Sequence, residues 1–244
     1  MTVPSVVALE LLGGFRVLTN GRSAARLPGE RQQQLIAYLL LHARSTPIPR
    51  QQIAGSLWPE SGDAQALTNL RRELHHLRET FPAIETLIDA ASRTLMWRED
   101  VRAVVDFVVF ESLAERGLSG DLAALQQAAR LYKGDLLPAF AAEWIEGDRE
   151  RLRQRAKKVL TRLVERLEHD RAFGDAIEHG EHLCRIDPLD ESGWRSLMRC
   201  HASRGDRAKA LHAYQQCAAL LKKELGVQPS AALRMTYREV LALD

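Results

Sequence analysis

Residues 55–81 read GSLWPESGDAQALTNLRRELHHLRETF. A short helix closing at Leu57-Trp58-Pro59 runs into a polar turn, and a second helix follows with leucines at 67, 70, 74 and 77. At about 100° per residue these leucines share one stripe, which Phe81 continues. The opposite face holds Gln65, Thr68, Asn69, Arg72 and His76. Such side chains hydrogen-bond base edges or phosphates. Two helices meeting at a tight polar turn, the second carrying such a face, match a helix-turn-helix. An ordinary amphipathic surface helix has the same periodicity, so the flanking sequence decides between them.

Upstream, Val6 to Leu12 and Phe15 to Thr19 are short apolar or alternating runs, broken by Gly13-Gly14 as a bulge or turn. Asn20-Gly21 is a two-residue hairpin signal, and β structure is expected over residues 6–28. Helical periodicity begins near Glu30 and runs through Leu35, Tyr38, Leu39 and His42. Pro47 and Pro49 mark a loop, and Arg50 to Leu57 forms the short helix before the turn. Downstream, Leu87-Ile88 and Leu95-Met96-Trp97 flank Ala90-Ala91-Ser92-Arg93, which predicts a β-hairpin with Arg93 near its tip. Strands, three helices and a closing hairpin make a winged helix, whose hairpin touches the DNA backbone or minor groove.

The stretches LELLGGFRVLTNGR, RQQQLIAYLLLHARSTPIPRQQIAGSLWPE, ALTNLRRELHHLRETF and LIDAASRTLMWRED together resemble the OmpR/PhoB-type winged helix of SARP-type regulators. The resemblance implies that the third helix lies in the major groove and the hairpin reaches neighbouring phosphates or the minor groove. One departure stands out. The family often ends this helix on Arg-Leu-Arg-Arg, where this chain has His76-Leu77-Arg78-Glu79. The change weakens phosphate attraction at that end, and Arg71 and Arg72 are placed to compensate.

From Asp106 onward no strand signal is found. Helices are expected at about 107–116, 121–132, 143–169, 172–186, 191–204, 207–225 and 230–242. Ala176 and Ala210 are 34 residues apart, each following an Asp. Trp194, Leu197, Ala210, Tyr214 and Cys217, with Pro188 closing the preceding repeat, fall on the tetratricopeptide (TPR) template. The segments LYKGDLLPAF at 131–140, EWIEGDRERLR at 143–153 and residues 185–237, with their ELGVQPS stretch, resemble the bacterial transcriptional activation domain that follows the winged helix in SARP-type regulators.

Composition narrows the function class. Hydrophobic content is 45% and charge 27% across 244 residues, ordinary for a globular protein of one or two domains. No apolar run approaches the length of a membrane span, and the first residues lack a basic leader with a long apolar core, so a cytoplasmic protein without membrane attachment is expected. Cys184, Cys200 and Cys217 are odd in number and widely spaced, which predicts buried thiols rather than a disulfide or metal site. Net charge is only +2. Residues 1–105 carry twelve arginines, no lysine and ten acids, and arginine's planar fork suits phosphate and guanine. The phosphate-binding, dinucleotide-binding, zinc-hydrolase and serine-nucleophile motifs are missing, so no enzyme, cofactor or metal is expected. Trp58, Trp97, Trp144 and Trp194 sit in apolar context and are assigned to core packing.

The expected fold is an α+β winged helix-turn-helix domain over residues 1–105, followed by an all-α TPR-like domain over residues 106–244. The expected function is sequence-specific binding of double-stranded DNA by a transcriptional regulator. The resemblance implies an activator bound as a homodimer to direct repeats and contacting RNA polymerase. In some large bacterial regulators this domain pair precedes a nucleotide-hydrolysing switch region, and the sequence is compatible with either setting. The helix from Ala64 to Thr80 is expected in the major groove, with Thr68, Asn69 and Arg72 at base edges. Arg71, His76, Arg78 and Arg93 are expected at phosphates or the minor groove, although Arg71 and Arg78 have a second use as partners of Glu79 or Glu85. The alternative class is a TPR-like protein-interaction scaffold that does not bind DNA.

Overall fold

A computed structural model describes residues 7–23, 28–98 and 103–243. The chain divides into two compact units, Met1–Val109 with Lys133–Leu152, and Phe110–Tyr132 with Arg153–Asp244. This division differs from a cut at residue 105 because residues 133–152 associate with the first unit.

The first unit opens with β1 (Val7–Glu10), β2 (Arg16–Thr19) and β3 (Arg22–Ser23). β1 pairs antiparallel with β2 in the register Val7↔Thr19 to Glu10↔Arg16. Asn20 and Gly21 turn β2 into β3 with φ of 52° and 78°. That pair of left-handed residues is what a tight hairpin demands. Val6 and residues 24–27, part of the expected β region, lie outside the described residues. β7 (Ala103–Val105) pairs parallel with β1 and is not among the expected strands. Its three residues carry no alternation of their own, and its partner lies far back in the chain.

α1 (Glu30–His42) is the buried helix of this unit, with Leu35, Ile36, Leu39 and Leu40 inaccessible to solvent. α2 (Arg50–Leu57) and α3 (Asp63–Thr80) follow, joined by a short polar turn. The expected leucine stripe of α3 is shifted slightly. Ala66, Leu70, Leu74 and Leu77 are buried, and Leu67 is only half-buried. Phe81 ends α3 because it precedes Pro82, whose ring disfavours helical backbone there. A four-residue helix, α4 (Ile84–Leu87), then leads into β5 (Ile88–Ala90) and β6 (Thr94–Trp97). β5 and β6 form the expected hairpin, in the register Ile88↔Trp97 and Ala90↔Leu95. Leu87 belongs to the helix rather than the strand, and residues 99–100 at the end of the expected hairpin segment lie outside the described residues. The loop expected around Pro47 and Pro49 contains a strand, β4 (Ile48–Pro49), which pairs with β6.

Residues 133–152 complete this unit. Gly13, at φ 88°, donates to the Asp135 carbonyl at 2.8 Å, and Leu137 N–H donates to the Leu11 carbonyl at 2.9 Å. Arg149 is 8% exposed and donates to the carbonyls of Leu136, Leu137 and Phe140 at 2.9–3.0 Å. Its fork thus gathers three buried carbonyls outside the helices and strands, of which that of Leu137 also accepts from Phe140 N–H at 3.0 Å. Asp106 does the same for donors: its carboxylate accepts from Leu11 and Leu12 N–H, both at 2.8 Å.

The second unit takes in most of α5 (Asp106–Leu118), α6 (Leu122–Leu131), the later part of α7 (Glu143–His169), then α8 (Phe173–Ile186), α9 (Glu191–Ser203), α10 (Arg207–Leu225) and α11 (Ala231–Leu241). These spans follow the expected helices within two residues at each end. The repeat positions form the core. Ala176 and Ala210 are fully buried, and Trp194, Leu197 and Cys217 pack with Met198, Leu221, Leu233 and Val240. Tyr214 stacks on Tyr237 at 4.1 Å between ring centroids. α10 stops at Gly226, which adopts φ 70° and caps the Leu221 and Lys222 carbonyls. All three cysteines are buried and unbridged. Of the tryptophans, Trp97 and Trp194 are buried, whereas Trp58 and Trp144 are half-buried. No helix among the described residues is long and apolar enough to cross a membrane.

Candidate nucleic-acid interface

α2 ends at Trp58, whose carbonyl accepts from Ser61 N–H at 3.1 Å and shapes the turn into α3. Gln51 on α2 donates to Asp63 at 3.1 Å, tying the start of α3 to its partner helix. Asp63 in the first turn also suits the positive end of the helix dipole. With the leucine seam turned inward, Gln65, Thr68, Arg71, Arg72, His75, His76 and Arg78 are all exposed on α3.

Asn69 does not join them. It is 9% exposed, and its Oδ1 accepts from Gln65 Nε2 at 3.0 Å. The position sits at the edge of the buried stripe, beside Ala66 and Leu70, rather than on the crest of the polar face. Thr68 remains on the exposed face, with its hydroxyl donating back to the Ala64 carbonyl at 2.9 Å. The Arg72 side chain is 58% exposed and lies 3.5 Å from Glu73. Arg78 lies 3.8 Å from Glu85, and His75 lies 3.4 Å from Glu79. Arg78 and Glu85 are exposed on both sides, and such a pair contributes about 0–1 kcal/mol, so a phosphate can replace the carboxylate there.

The wing stands on α2. Arg93, exposed at its tip, offers its carbonyl to Arg50 N–H at 2.9 Å. The Arg50 side chain returns a second bond, Nε to the Ala91 carbonyl at 3.0 Å. Burial first, then the charges of Arg78 and Arg71, push the Arg50 guanidinium below its ordinary pKa. Arg50 therefore joins Arg71 and Arg78 in one cluster of like charge, where α2, α3 and the wing meet. Sequence reasoning does not single out Arg50. Its signal is a cation in the first turn of a helix, where the dipole disfavours positive charge. Such a local conflict often marks a functional position.

With this geometry in place, comparison with known proteins decides the family. The family model of the bacterial transcriptional activator domain matches residues 105–241, more than half of the chain. The chain belongs to this family. This SARP-type regulator is 27% identical to the regulatory protein DnrI of Streptomyces peucetius over 97% of its own length and 92% of that protein. It is 24% identical to the transcriptional regulatory protein MoaR1 of Mycobacterium tuberculosis, over 98% of its length and 81% of the relative. Among solved structures, it superposes on EmbR of Mycobacterium tuberculosis, solved in complex with a low-affinity phosphopeptide, with a TM-score of 0.70 at 20% identity. That match covers 98% of this regulator and 67% of EmbR, and supports the architecture of a winged helix followed by TPR-like helices. The relatives are transcriptional regulators.

Proposed function

We propose that this regulator is a sequence-specific duplex-DNA-binding activator that reads base edges with α3. In this reading residues 1–105 are the DNA-binding domain and residues 106–244 the activation domain. The observation that carries it is the exposed polar face of α3 beside a wing tied to α2 through Arg50. Arg72 and Thr68 lie along that face, and Arg72 suits guanine. Asn69 contributes to adenine recognition once its bond from Gln65 is exchanged for the base. Arg50, Arg71, His76, Arg78 and Arg93 hold phosphates or the minor groove.

One winged helix contacts few base pairs, and a second copy on a direct repeat raises the effective concentration of the first. Homodimer formation is supported by apolar side chains exposed near the end of the second unit, Leu225, Val227 and Met235, at 57%, 47% and 61%. Contact with RNA polymerase follows from the family's role in activation. Capture of source-genome fragments by the purified chain tests the proposal. The expected result is enrichment of one motif in two direct copies. Recovery of fragments without a shared motif, at a level matching a neutral control protein, favours the scaffold alternative.

A further inference from the structure

One pair of polar side chains on α3 is already ordered. Gln65 Nε2 donates to Asn69 Oδ1 at 3.0 Å, one helical turn further along. Asn69 is 9% exposed at the edge of the buried stripe, whereas Gln65 is exposed on the polar face. A buried side chain thus holds an exposed one. The turn that carries Gln65 is fixed as well, because Gln51 of α2 donates to Asp63 at 3.1 Å. The bond that Asn69 would exchange for a base therefore has a use as it stands.

A side-chain amide has two N–H donors and a carbonyl acceptor. Gln65 uses one donor on Asn69, and its second N–H and its Oε1 have no partner among the described residues. One donor beside one acceptor is complementary to N7 and the N6 amino group of adenine in the major groove. Gln65 also lies in the first turn of α3, the end of a recognition helix whose side chains reach base edges. Glutamine is rich in rotamers, so holding it beforehand lowers the ordering cost of binding. Arg72 follows on the same stripe two turns later, about 10 Å along the helix, which is about three base pairs.

We propose that Gln65 is a specificity-determining residue that reads an adenine directly, with Asn69 as the positioning residue that holds its amide. This role rests on the reading of α3 as a recognition helix and adds the base that its first turn selects. The test recovers bound duplexes from a pool with a randomised core, using the full chain and its variants in parallel. The unaltered chain should enrich a motif with an A·T pair about three base pairs from a G·C pair. Gln65→Ala should lower the adenine preference about tenfold and leave the guanine in place, and Arg72→Ala should do the reverse. Gln65→Glu keeps an acceptor and loses the donor, so it should move that position from adenine toward cytosine. Asn69→Ala should weaken the adenine preference, and Asn69→Asp, which keeps the accepting oxygen, should restore it. Both Gln65 variants alter an exposed side chain, so the melting temperature should not change. An adenine preference that survives Gln65→Ala but not Asn69→Asp assigns the base to Asn69 after exchange and overturns the proposal. A motif that neither Gln65 variant alters also overturns it while the DNA-binding reading stands. An unaltered chain that enriches no motif removes that reading, and the role of Gln65 with it.

Discussion

Arg50 begins α2 with a positive charge, against a dipole that disfavours it there by about 0.3–1 kcal/mol. Its two bonds to the wing and the nearby charges of Arg71 and Arg78 describe a place that an anion would relieve. Replacement by alanine should weaken binding to every duplex alike and reduce the slope of log affinity against log salt by about one phosphate contact. Mobility-shift titrations at several salt concentrations measure both. An unchanged slope counts against a phosphate role for Arg50. At Asn69 the balance runs the other way. A side chain 9% exposed and already accepting from Gln65 must rearrange before it can touch a base, so the proposed base reading rests chiefly on Arg72.

Among the helices, α5 and α6 approach so closely at Gly117 that a Cβ there would lie 2.7 Å from Leu125 Cα. Helix propensity favours alanine over glycine by about 1 kcal/mol. Overpacking against backbone costs about 1–3 kcal/mol. Because the contact is with main chain, packing should win, and Gly117→Ala should lower the denaturant midpoint of unfolding. A raised midpoint would show that the two helices part freely. Helix spans, the hairpin and the repeat positions were legible because each is written in local periodicity and turn residues. What escaped was non-local. β4 exists because Ile48 and Pro49 meet Leu95 and Thr94, and β7 because residues 103–105 meet 7–9. The role of Arg149, which ties residues 136–140 to its own helix, carries no sequence signal beyond a charge on a polar-looking face. At the site, the exposed arginines were legible from the helical stripe, whereas the burial of Asn69 depended on a shift of that stripe by one position.

For the molecule as a whole, His42, His179, His182 and His201 all have pKa values lowered first by burial. The unfolded chain takes up protons at these positions near the ordinary value of 6.5, while the folded rings stay neutral to lower pH. Their contribution to stability is therefore complete above that value and is lost as pH falls through it toward the lowered folded values. The melting temperature should fall between about pH 7.5 and about pH 5.5, above the range where carboxylates take up protons. A melting temperature that stays level or rises over that interval contradicts the assignment. Net charge across the molecule is only +2, so the proposed duplex binding rests on local placement of arginines rather than on a diffuse field. The most direct test is a mobility-shift titration of Arg72→Ala on the selected direct-repeat site and on a scrambled duplex of equal length. A loss of about 1–3 kcal/mol is expected on the selected site, with little change on the scrambled one. Undiminished affinity for the selected site, in a variant that still folds, would contradict it.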